Sequence, residues 1–360
     1  MDYIKKTIEL HNHFGKNDNY VQAAGGNISI KNGDIIHIKK SGLHFKDIKD
    51  EDDVISLNIS KEDINQEVLS IKNKNNLENR YNEFIDQKNS GKGRPSIELS
   101  FHIFGDKYTL HLHPTLINIF TCTKEGQEII KKMCEENGNM SYVDYYKPGI
   151  ILTDEILKER SSLNDITFLF NHGIIVTGPS EDAIKERYKL VENALKKEII
   201  YKEYKQEGEL LKKHKEITGE MGGEQWFIIN NNFLNEKGME NRAYLSFNTG
   251  EMLSLPHLYP DSVIYNARVF YQHWTDYSNK KNVITCHAMP FLEKSGNVFV
   301  WTMNVSSEKE AIFKIELFIN KMKIEHFAKL NSFIPVYLDE KYVAELKNWD
   351  AEKYRQDLLK

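Results

Sequence analysis

Two histidines separated by one residue form the sharpest chemical feature of the sequence. His111 and His113 lie in a short apolar segment, residues 108–113, that predicts a β-strand. Residues i and i+2 of a strand point to the same face, so two imidazoles there can bind one metal ion. Thirteen histidines in 360 residues would give about 0.5 such pairs by chance, so the spacing alone is a weak indication.

Two further residues could complete a metal-dependent site. His172 lies between an apolar strand and Gly173, where its side chain can project into a cleft. Three neutral imidazoles would bind a zinc-type ion and leave one position open for water or substrate. Glu98 falls in the first turn of a helix that Pro95 and Ser96 predict. A lone glutamate there is more typical of a helix-dipole partner, but beside three histidines it is a candidate general base or displaceable ligand.

A second histidine pair offers no such site. His11 and His13 fall in a segment with helical spacing, where residues i and i+2 point away from each other. They cannot share a metal ion in that conformation. We therefore expect both side chains to be solvated surface groups.

Two glycine turns could bind an anion. They are Gly25-Gly26-Asn27 and Lys39-Lys40-Ser41-Gly42, which combine backbone amides with hydroxyl, amide and ammonium groups. Backbone N–H groups in such turns form anion-binding nests. Taken singly, each sequence is more typical of an ordinary tight turn.

A mixed α/β scaffold is predicted to position these residues. Strands are predicted near residues 28–30, 35–38, 54–57, 108–113, 166–169 and 173–176, and helices near 4–14, 95–104, 116–134 and 180–199. Residues 60–93 are strongly polar and predict a surface excursion with some helix.

Taken together and in order, these motifs resemble the class II aldolase/adducin family. They are Ala24-Gly25-Gly26-Asn27-Ile28-Ser29, Lys39-Lys40-Ser41-Gly42, Arg94-Pro95-Ser96-Ile97-Glu98 with His102, His111-Leu112-His113-Pro114 and Asn171-His172-Gly173. The match covers about residues 5–200 and is closest to the long members that can carry a fused short-chain dehydrogenase. Leu258-Tyr259-Pro260-Asp261 also resembles those long proteins. No glycine-rich dinucleotide fingerprint follows, so we expect no dehydrogenase here.

The resemblance implies a fold, a cofactor and roles for residues. The fold is a three-layer α/β/α arrangement with a central, mostly antiparallel sheet. His111, His113 and His172 match the ligands of one Zn²⁺ per chain, and Glu98 matches the catalytic acid/base. The matches to positions that hold a substrate phosphate are Gly26, Asn27, Ser41, Gly42 and Ser96. Zinc would bind the substrate's hydroxyl and carbonyl oxygens and stabilise the enediolate that C–C cleavage produces.

The sequence departs from the family pattern at two places. Ile97 replaces a serine that commonly donates to the phosphate, although Lys39 could compensate. Lys132 stands near the position where fuculose-type enzymes use a tyrosine from a neighbouring subunit as proton donor. Tyr145 or Tyr146 could take that role.

The leading interpretation is a zinc-dependent aldol lyase acting on a ketose, with a ketose phosphate favoured. The 4-epimerase members of the family carry Asp in place of Glu98, which argues mildly against an epimerase. A sugar-phosphate dehydratase or decarboxylase on the same zinc site remains open. So does an adducin-like binding module without catalysis, which would not need all three histidines. The resemblance also implies a homo-oligomer, since related short aldolases bury an apolar edge against another subunit.

The amino-acid composition limits the classes of partner that we expect this protein to bind. The net charge of −5 provides no basic field for nucleic acid, and no apolar run reaches the length of a membrane span. Three cysteines in no pattern argue against a disulfide framework and for a reducing cytoplasm. We therefore expect a small-molecule sugar or sugar phosphate as partner, and neither nucleic acid nor membrane.

The chain turns charged and glycine-containing between about residues 205 and 225, which predicts a boundary. We divide it into a class II aldolase-like catalytic domain, 1–210, and a C-terminal α/β domain, 226–360, without metal ligands. Strands are predicted in the second part near 226–229, 263–265, 283–286 and 298–303. The strand–turn–helix pattern around Ser307 echoes that around Ser180, so we predict a degenerate copy of the first fold, although any strand–turn–helix unit resembles another.

Overall fold

The computed structural model gives the positions of residues 2–89, 91, 93–158, 160–203, 210–211, 225–229, 257–264, 268–269, 283–288, 299–303, 308–350, 354 and 357–358. The α-helices described in these ranges are α1 (Tyr3–Gly15), α2 (Lys61–Ile64), α3 (Lys74–Lys88), α4 (Leu99–Phe104), α5 (Thr115–Thr121), α6 (Lys124–Glu136), α7 (Ile150–Leu157), α8 (Glu181–Glu198), α9 (Pro260–Ile264), α10 (Glu308–Leu330) and α11 (Glu340–Lys347). The strands are β1 (Asn27–Asn32), β2 (Ile35–Lys39), β3 (Val54–Asn58), β4 (Tyr108–Leu112), β5 (Met140–Val143), β6 (Ile166–Leu169), β7 (Gly173–Gly178), β8 (Leu210–Leu211), β9 (Gln225–Ile229), β10 (Arg268–Val269), β11 (Val283–Ala288) and β12 (Phe299–Met303).

A seven-stranded sheet forms the centre of the fold. Its strand order is β3-β2-β1-β4-β7-β6-β5. Neighbouring strands are antiparallel except β5 and β6, which are parallel. The mostly antiparallel α/β sheet expected from the sequence is therefore present.

Helices cover both faces of this sheet and give three layers. One hydrophobic cluster lies on the face covered by α1, α5, α6 and α8, and a second cluster lies on the face covered by α3, α4 and α7. Residues along a strand alternate between the faces. Ile174 and Val176 of β7 accordingly join the first cluster and Ile175 joins the second.

Side-chain caps fix the N-terminal ends of α1 and α8 on the first face. Asp2 caps α1, because its carboxylate accepts the backbone N–H of Lys5 at 3.0 Å. Ser180 caps α8 in the same way, with its Oγ 3.1 Å from the N–H of Ala183. Both caps satisfy donors that the first turn of a helix leaves without a partner.

The structure corrects the predicted start of the helix that follows Arg94. Pro95 pairs with Lys40 in an isolated β-bridge, and Ser96 N–H donates to the carbonyl of Lys39 at 3.1 Å. Helix α4 therefore begins at Leu99, and Glu98 occupies its N-cap position instead of its first turn. Pro95 therefore lies before the helix and is not its first residue.

Two other predicted segments differ from the structure. The excursion at 60–93 includes α3, whose Leu77, Tyr81 and Phe84 are buried against the sheet. These apolar residues recur at helical spacing, which the many polar residues between them obscured. The strand predicted at 263–265 is not present over residues 263–264, which form the end of α9, while residue 265 lies outside the described ranges; α9 begins at Pro260 with Asp261 in its first turn.

Five short strands of the C-terminal part form a second sheet. Its order is β10-β11-β12-β9-β8, antiparallel throughout except for the parallel pair β10–β11. The run β5-β6-β7-β4-β1 of the first sheet has the same sequence order and the same relative directions. Long helices, α8 and α10, follow the matching strands β7 and β12.

The C-terminal part also contributes to the first hydrophobic cluster. Helix α10 packs against α5, and its Phe313 and Leu317 join that cluster together with Leu258 and Tyr259. The core therefore continues across the boundary at 205–225. No helix in the described ranges has the length and apolar character needed to cross a membrane.

Candidate metal centre

Four buried side chains converge at one edge of the first sheet. They are Glu98, His111, His113 and His172, and one ligand atom from each lies within 4.8 Å of all the others. The Nε2 atoms of His111 and His113 are 2.9 Å apart. The Glu98 carboxylate places Oε2 3.3 Å from His111 Nε2 and Oε1 3.1 Å from His172 Nε2.

Antiparallel pairing of the central strands brings these residues together. His111 lies on β4, opposite Asn27 at the start of β1 and Ile175 near the start of β7. His113 follows the end of β4, and His172 precedes the start of β7. Because neighbouring antiparallel strands end and begin at the same edge of a sheet, the three imidazoles meet there.

Hydrogen bonds fix which nitrogen of two imidazoles carries a proton. His111 Nδ1 lies 3.0 Å from the carbonyl of Ile174, and His113 Nδ1 lies 2.7 Å from the Asp261 carboxylate. Both partners accept, so in the neutral form of each ring Nδ1 donates and Nε2 carries a lone pair. Two lone pairs that face each other at 2.9 Å cannot form a hydrogen bond. A bound cation would satisfy both.

The charges of the cluster also fit a cation. Burial lowers the pKa of His172 to about 4, so its imidazole is neutral, which is the form a metal ion requires. Glu98 Oε1 is buried and accepts no hydrogen bond from the described residues. Three imidazole nitrogens and one carboxylate oxygen form the donor set of zinc-type sites.

A chain of buried side chains orients Glu98 from behind. Asn27 Nδ2 donates to Glu98 Oε2 at 2.8 Å and to Ser96 Oγ at 2.9 Å. Its Oδ1 therefore accepts from His102 Nε2, and Ser29 Oγ donates to His102 Nδ1 at 2.8 Å. Burial lowers the pKa of His102 well below its usual value, so this imidazole is neutral.

The structure brings together all ten residues predicted for the site. Nine of them line one pocket beside the histidines, which we call the metal pocket. His111 lies next to it in the group formed by Glu98, His111, His113 and His172, which we call the metal cluster because these side chains could hold an ion. The nine are Gly26, Asn27, Lys39, Ser41, Gly42, Ser96, Glu98, His113 and His172. Their proximity is as expected from the motifs, whereas their individual roles stay predictions.

Two adjacent glycines allow the backbone to pass close to the histidines. Gly26 has φ +66°, and a Cβ there would lie 2.8 Å from the carbonyl oxygen of His111. At Gly25 a Cβ would lie 2.7 Å from both His113 Nδ1 and Asp261 Oδ2. Any side chain at either position would therefore displace a neighbour of the metal cluster.

Several predicted anion-binding groups already have partners. Lys39 is buried, and its ammonium donates to the carbonyls of Ala24 at 2.9 Å and Leu43 at 2.6 Å. The backbone N–H of Ser41 donates to the carbonyl of Arg94 at 2.9 Å. The Ser41 hydroxyl, in contrast, is buried without a hydrogen-bond partner among the described residues.

A larger cavity adjoins the metal pocket. The space beside the histidines is about 20 Å³, which holds roughly one water-sized group. The adjoining cavity is about 240 Å³ and shares Ser41, Ser96 and Ile97 with the smaller one. Arg94 stacks over the ring of Tyr354 at 4.9 Å at this cavity.

Reasoning from the sequence missed one residue of the site. Asp261, from the C-terminal part, lines the metal pocket and accepts the hydrogen bond of His113. No local pattern distinguishes it among 53 acidic residues, although it belongs to the segment Leu258–Asp261. Tyr145 and Tyr146, the suggested proton donors, are absent from the described lining of the metal pocket.

The structure corrects the expectation for His11. Its side chain is buried, its Nδ1 donates to the carbonyl of Thr7 at 2.7 Å, and its Nε2 accepts the N–H of Ile28 at 3.1 Å. His11 is therefore a tie between α1 and β1, whereas His13 is exposed as expected.

A second cluster contains Asp18, His44 and Glu316. Lys46 forms an ion pair with Asp18, and Glu316 accepts the backbone N–H of Ala23 at 2.7 Å. Glu316 also lies 3.5 Å from His44 Nε2. These contacts give both carboxylates cationic or donor partners within the fold.

Comparisons with known proteins agree with the motifs. Residues 5–199 match the family model described as the class II aldolase and adducin N-terminal domain. An L-fuculose phosphate aldolase from Methanococcus maripaludis is 27% identical over 173 residues, which cover 44% of this chain and 76% of that protein. A 3-oxo-tetronate 4-phosphate decarboxylase from Pectobacterium atrosepticum is 30% identical over 115 residues, covering 29% of this chain and 53% of that protein. Among solved structures, the N-terminal class II aldolase domain of a conserved protein from Thermoplasma acidophilum is 20% identical, with a TM-score of 0.46, over 55% of this chain and 93% of that chain.

Proposed function

The chain belongs to the class II aldolase and adducin family, and from that membership we propose that it is a metal-dependent aldol lyase. Its substrate would be a ketose, with a ketose phosphate favoured. The proposed cofactor is one Zn²⁺ per chain. The proposed ligands are His111, His113 and His172, which lie together with Glu98 in the buried cluster.

One observation carries the proposal: the Nε2 atoms of His111 and His113 face each other at 2.9 Å, beside the buried Glu98 carboxylate. A protein that used this fold only for binding would gain nothing from such an arrangement, because buried acceptors without a donor are costly. When bound there, zinc would act as a Lewis acid toward the negative charge that develops on substrate oxygens.

Glu98 is the proposed proton carrier. Asn27 holds Oε2, so Oε1 is the oxygen left to exchange a proton with substrate. During cleavage Glu98 takes the proton from the substrate hydroxyl as that oxygen becomes the aldehyde carbonyl. The C–C bond breaks, and its electron pair stays beside the carbonyl of the other fragment. Glu98 then returns the proton to that carbon, and condensation reverses these steps.

The remainder of the substrate would extend away from the histidines. The space beside them is about 20 Å³, whereas the adjoining cavity is about 240 Å³. The Ser41 hydroxyl, buried without a partner among the described residues, is a donor for an anionic or hydroxyl group of the substrate. Lys39 adds positive charge to the pocket lining, while Ile97 contributes no donor.

The test is a cleavage assay on the zinc-loaded protein with a set of ketose 1-phosphates. We expect release of an aldehyde and a three-carbon ketone phosphate from at least one of them. The matched control is the same protein stripped of metal by a chelator. Absence of cleavage across the set, or equal activity without metal, would contradict the proposal.

A decarboxylase is the second candidate, because the chain is 30% identical over 115 residues to a 3-oxo-tetronate 4-phosphate decarboxylase. Loss of CO₂ from a 3-oxo acid also leaves an electron pair beside a carbonyl, so the same site could serve both reactions. Offering the metal-loaded protein a 3-oxo sugar-acid phosphate and measuring CO₂ release distinguishes the two. A dehydratase would instead release water without breaking a C–C bond.

A further inference from the structure

We propose that Asp261, supplied by the C-terminal part of the chain, is the positioning residue that completes the metal site by orienting His113. The inference rests on the proposed function, since it assumes that His113 binds a metal ion. It goes further, because it assigns a role to a segment that lies beyond residues 5–199, the extent of the family match.

The contact has the geometry of a strong charge-assisted hydrogen bond. Asp261 Oδ2 lies 2.7 Å from His113 Nδ1, and both side chains are almost fully buried. A carboxylate there fixes the ring orientation, holds the proton on Nδ1 and makes Nε2 a better electron-pair donor. Carboxylate–histidine–metal arrangements of this kind typically contribute 10–100-fold to metal affinity.

Gly25 lies against the hydrogen bond between Asp261 and His113, and its lack of a side chain leaves room for that bond. A Cβ at Gly25 would lie 2.7 Å from both atoms that form the hydrogen bond. The turn that contains Gly25 is itself held by α10, because Glu316 accepts the N–H of Ala23 and Asn320 donates to Gln22 at 2.9 Å. The C-terminal part thus contacts His113 directly and also supports the turn beside it.

The segment that carries Asp261 is anchored to two other parts of the fold. Asn171, the residue before His172, donates from Nδ2 to the carbonyls of Leu258 at 3.0 Å and Val336 at 2.7 Å. Tyr259 is fully buried, and its hydroxyl donates to the carbonyl of Leu317 in α10 at 3.2 Å. These bonds hold α9 against the metal cluster, so Asp261 does not depend on a freely moving loop.

His111 provides an internal comparison. Its Nδ1 donates to the backbone carbonyl of Ile174 on the neighbouring strand, so the sheet itself orients that ring. His113 lies beyond the end of β4, where no strand neighbour performs this task. A side chain from another part of the fold is therefore needed, and Asp261 provides it.

The experiment measures Zn²⁺ affinity of the full chain by competition with a chromogenic chelator, for the wild type, Asp261→Asn and Asp261→Ala. We expect affinity to fall about 10-fold or more in Asp261→Asn and further in Asp261→Ala. Asp339→Asn, an exposed change in the same part of the chain, is the matched control and should retain wild-type affinity.

Spectroscopy separates positioning from a loss of structure. In the Co²⁺-loaded protein, Asp261→Asn should shift the ligand-field absorption bands, whereas the thermal midpoint of the metal-free variant should stay near the wild-type value. Affinities within threefold of wild type for both Asp261 variants, or unchanged Co²⁺ bands, would overturn the inference while leaving the proposed function intact. A wild-type protein that binds no metal would overturn both.

Discussion

Asn27 and Glu98 share a hydrogen bond that determines which carboxylate oxygen is available for chemistry. The amide nitrogen of Asn27 occupies Oε2, while Oε1 faces the histidines without a hydrogen bond from the described residues. Ser29 and His102 fix the amide in that orientation. This chain of hydrogen bonds keeps the carboxylate in one geometry.

Replacing Glu98 by glutamine should separate catalysis from structure. The glutamine carbonyl can still accept from Asn27, so we expect the fold and the metal content to remain close to wild type. The amide cannot carry the proton, so turnover should fall by about 100-fold or more. Steady-state kinetics with metal analysis checks this, with the exposed Glu128→Gln as control. Activity within threefold of wild type would reassign the proton carrier.

The sequence was informative about the residues whose types are rare and whose spacing is short. His111, His113, His172 and Glu98 can be grouped from the sequence alone, because strand periodicity and family motifs indicate them. Asp261 could not be found in this way, since a lone aspartate after a proline carries no signal of its partner 148 positions away. Asn27 was predicted to hold phosphate, yet its amide donates to Glu98 and Ser96.

At the scale of elements, α1 is held to the sheet by a buried polar side chain. His11 bonds to its own helix through Thr7 and to β1 through Ile28, and its ring packs edge-on against Phe45 at 4.6 Å. Helical periodicity predicted α1 but gave no sign of this tie. Whether a histidine on a helix faces solvent or a strand depends on how the helix packs, which the local sequence does not encode.

Stability should depend on pH through His11. Burial is the main cause that lowers the pKa of the His11 imidazole to about 3, and the Lys39 ammonium acts in the same direction. The unfolded chain, with a histidine pKa of about 6.5, then binds more protons than the folded chain between those values. Stability from this group is therefore complete above pH 6.5 and is lost as pH falls toward 3, by at most about 1.4 kcal/mol per pH unit.

Urea unfolding at pH 7 and pH 5 measures this effect. We expect His11→Gln to be less stable than wild type at pH 7 but to lose less stability on acidification, because glutamine does not titrate. His13→Gln, on the exposed side of the same helix, is the control and should keep most of the wild-type pH dependence. Equal pH dependence in wild type and His11→Gln would contradict the assignment.

At the scale of the whole molecule, the two sheets share a pattern of connection. The five strands of the C-terminal sheet follow the order and directions of five strands in the first sheet. The echo between the segments around Ser180 and Ser307 suggested this relation, and the strands near 226–229, 283–286 and 298–303 lie where the sequence placed them. The helix at Pro260–Ile264 differs from the predicted strand, and it is the element that carries Asp261.

We therefore predict that the C-terminal part is a degenerate copy of the catalytic fold that lost its own metal ligands. An experimental structure of the full chain checks this. Strands β8-β9-β12-β11-β10 should superpose on β1-β4-β7-β6-β5, with α10 in the place of α8. A different strand order in that structure would remove the repeat. The homo-oligomer and the division into domains 1–210 and 226–360 stay predictions that the same structure would address.

Metal analysis of the purified protein tests the central claim most directly. Elemental analysis of the wild type should find about one zinc ion per chain, and His113→Ala should lose most of it while still folding. The reason is that His113 provides one of the two lone pairs that face each other in the buried cluster. Full metal occupancy in His113→Ala, or no transition metal in the wild type, would contradict a metal centre at these histidines.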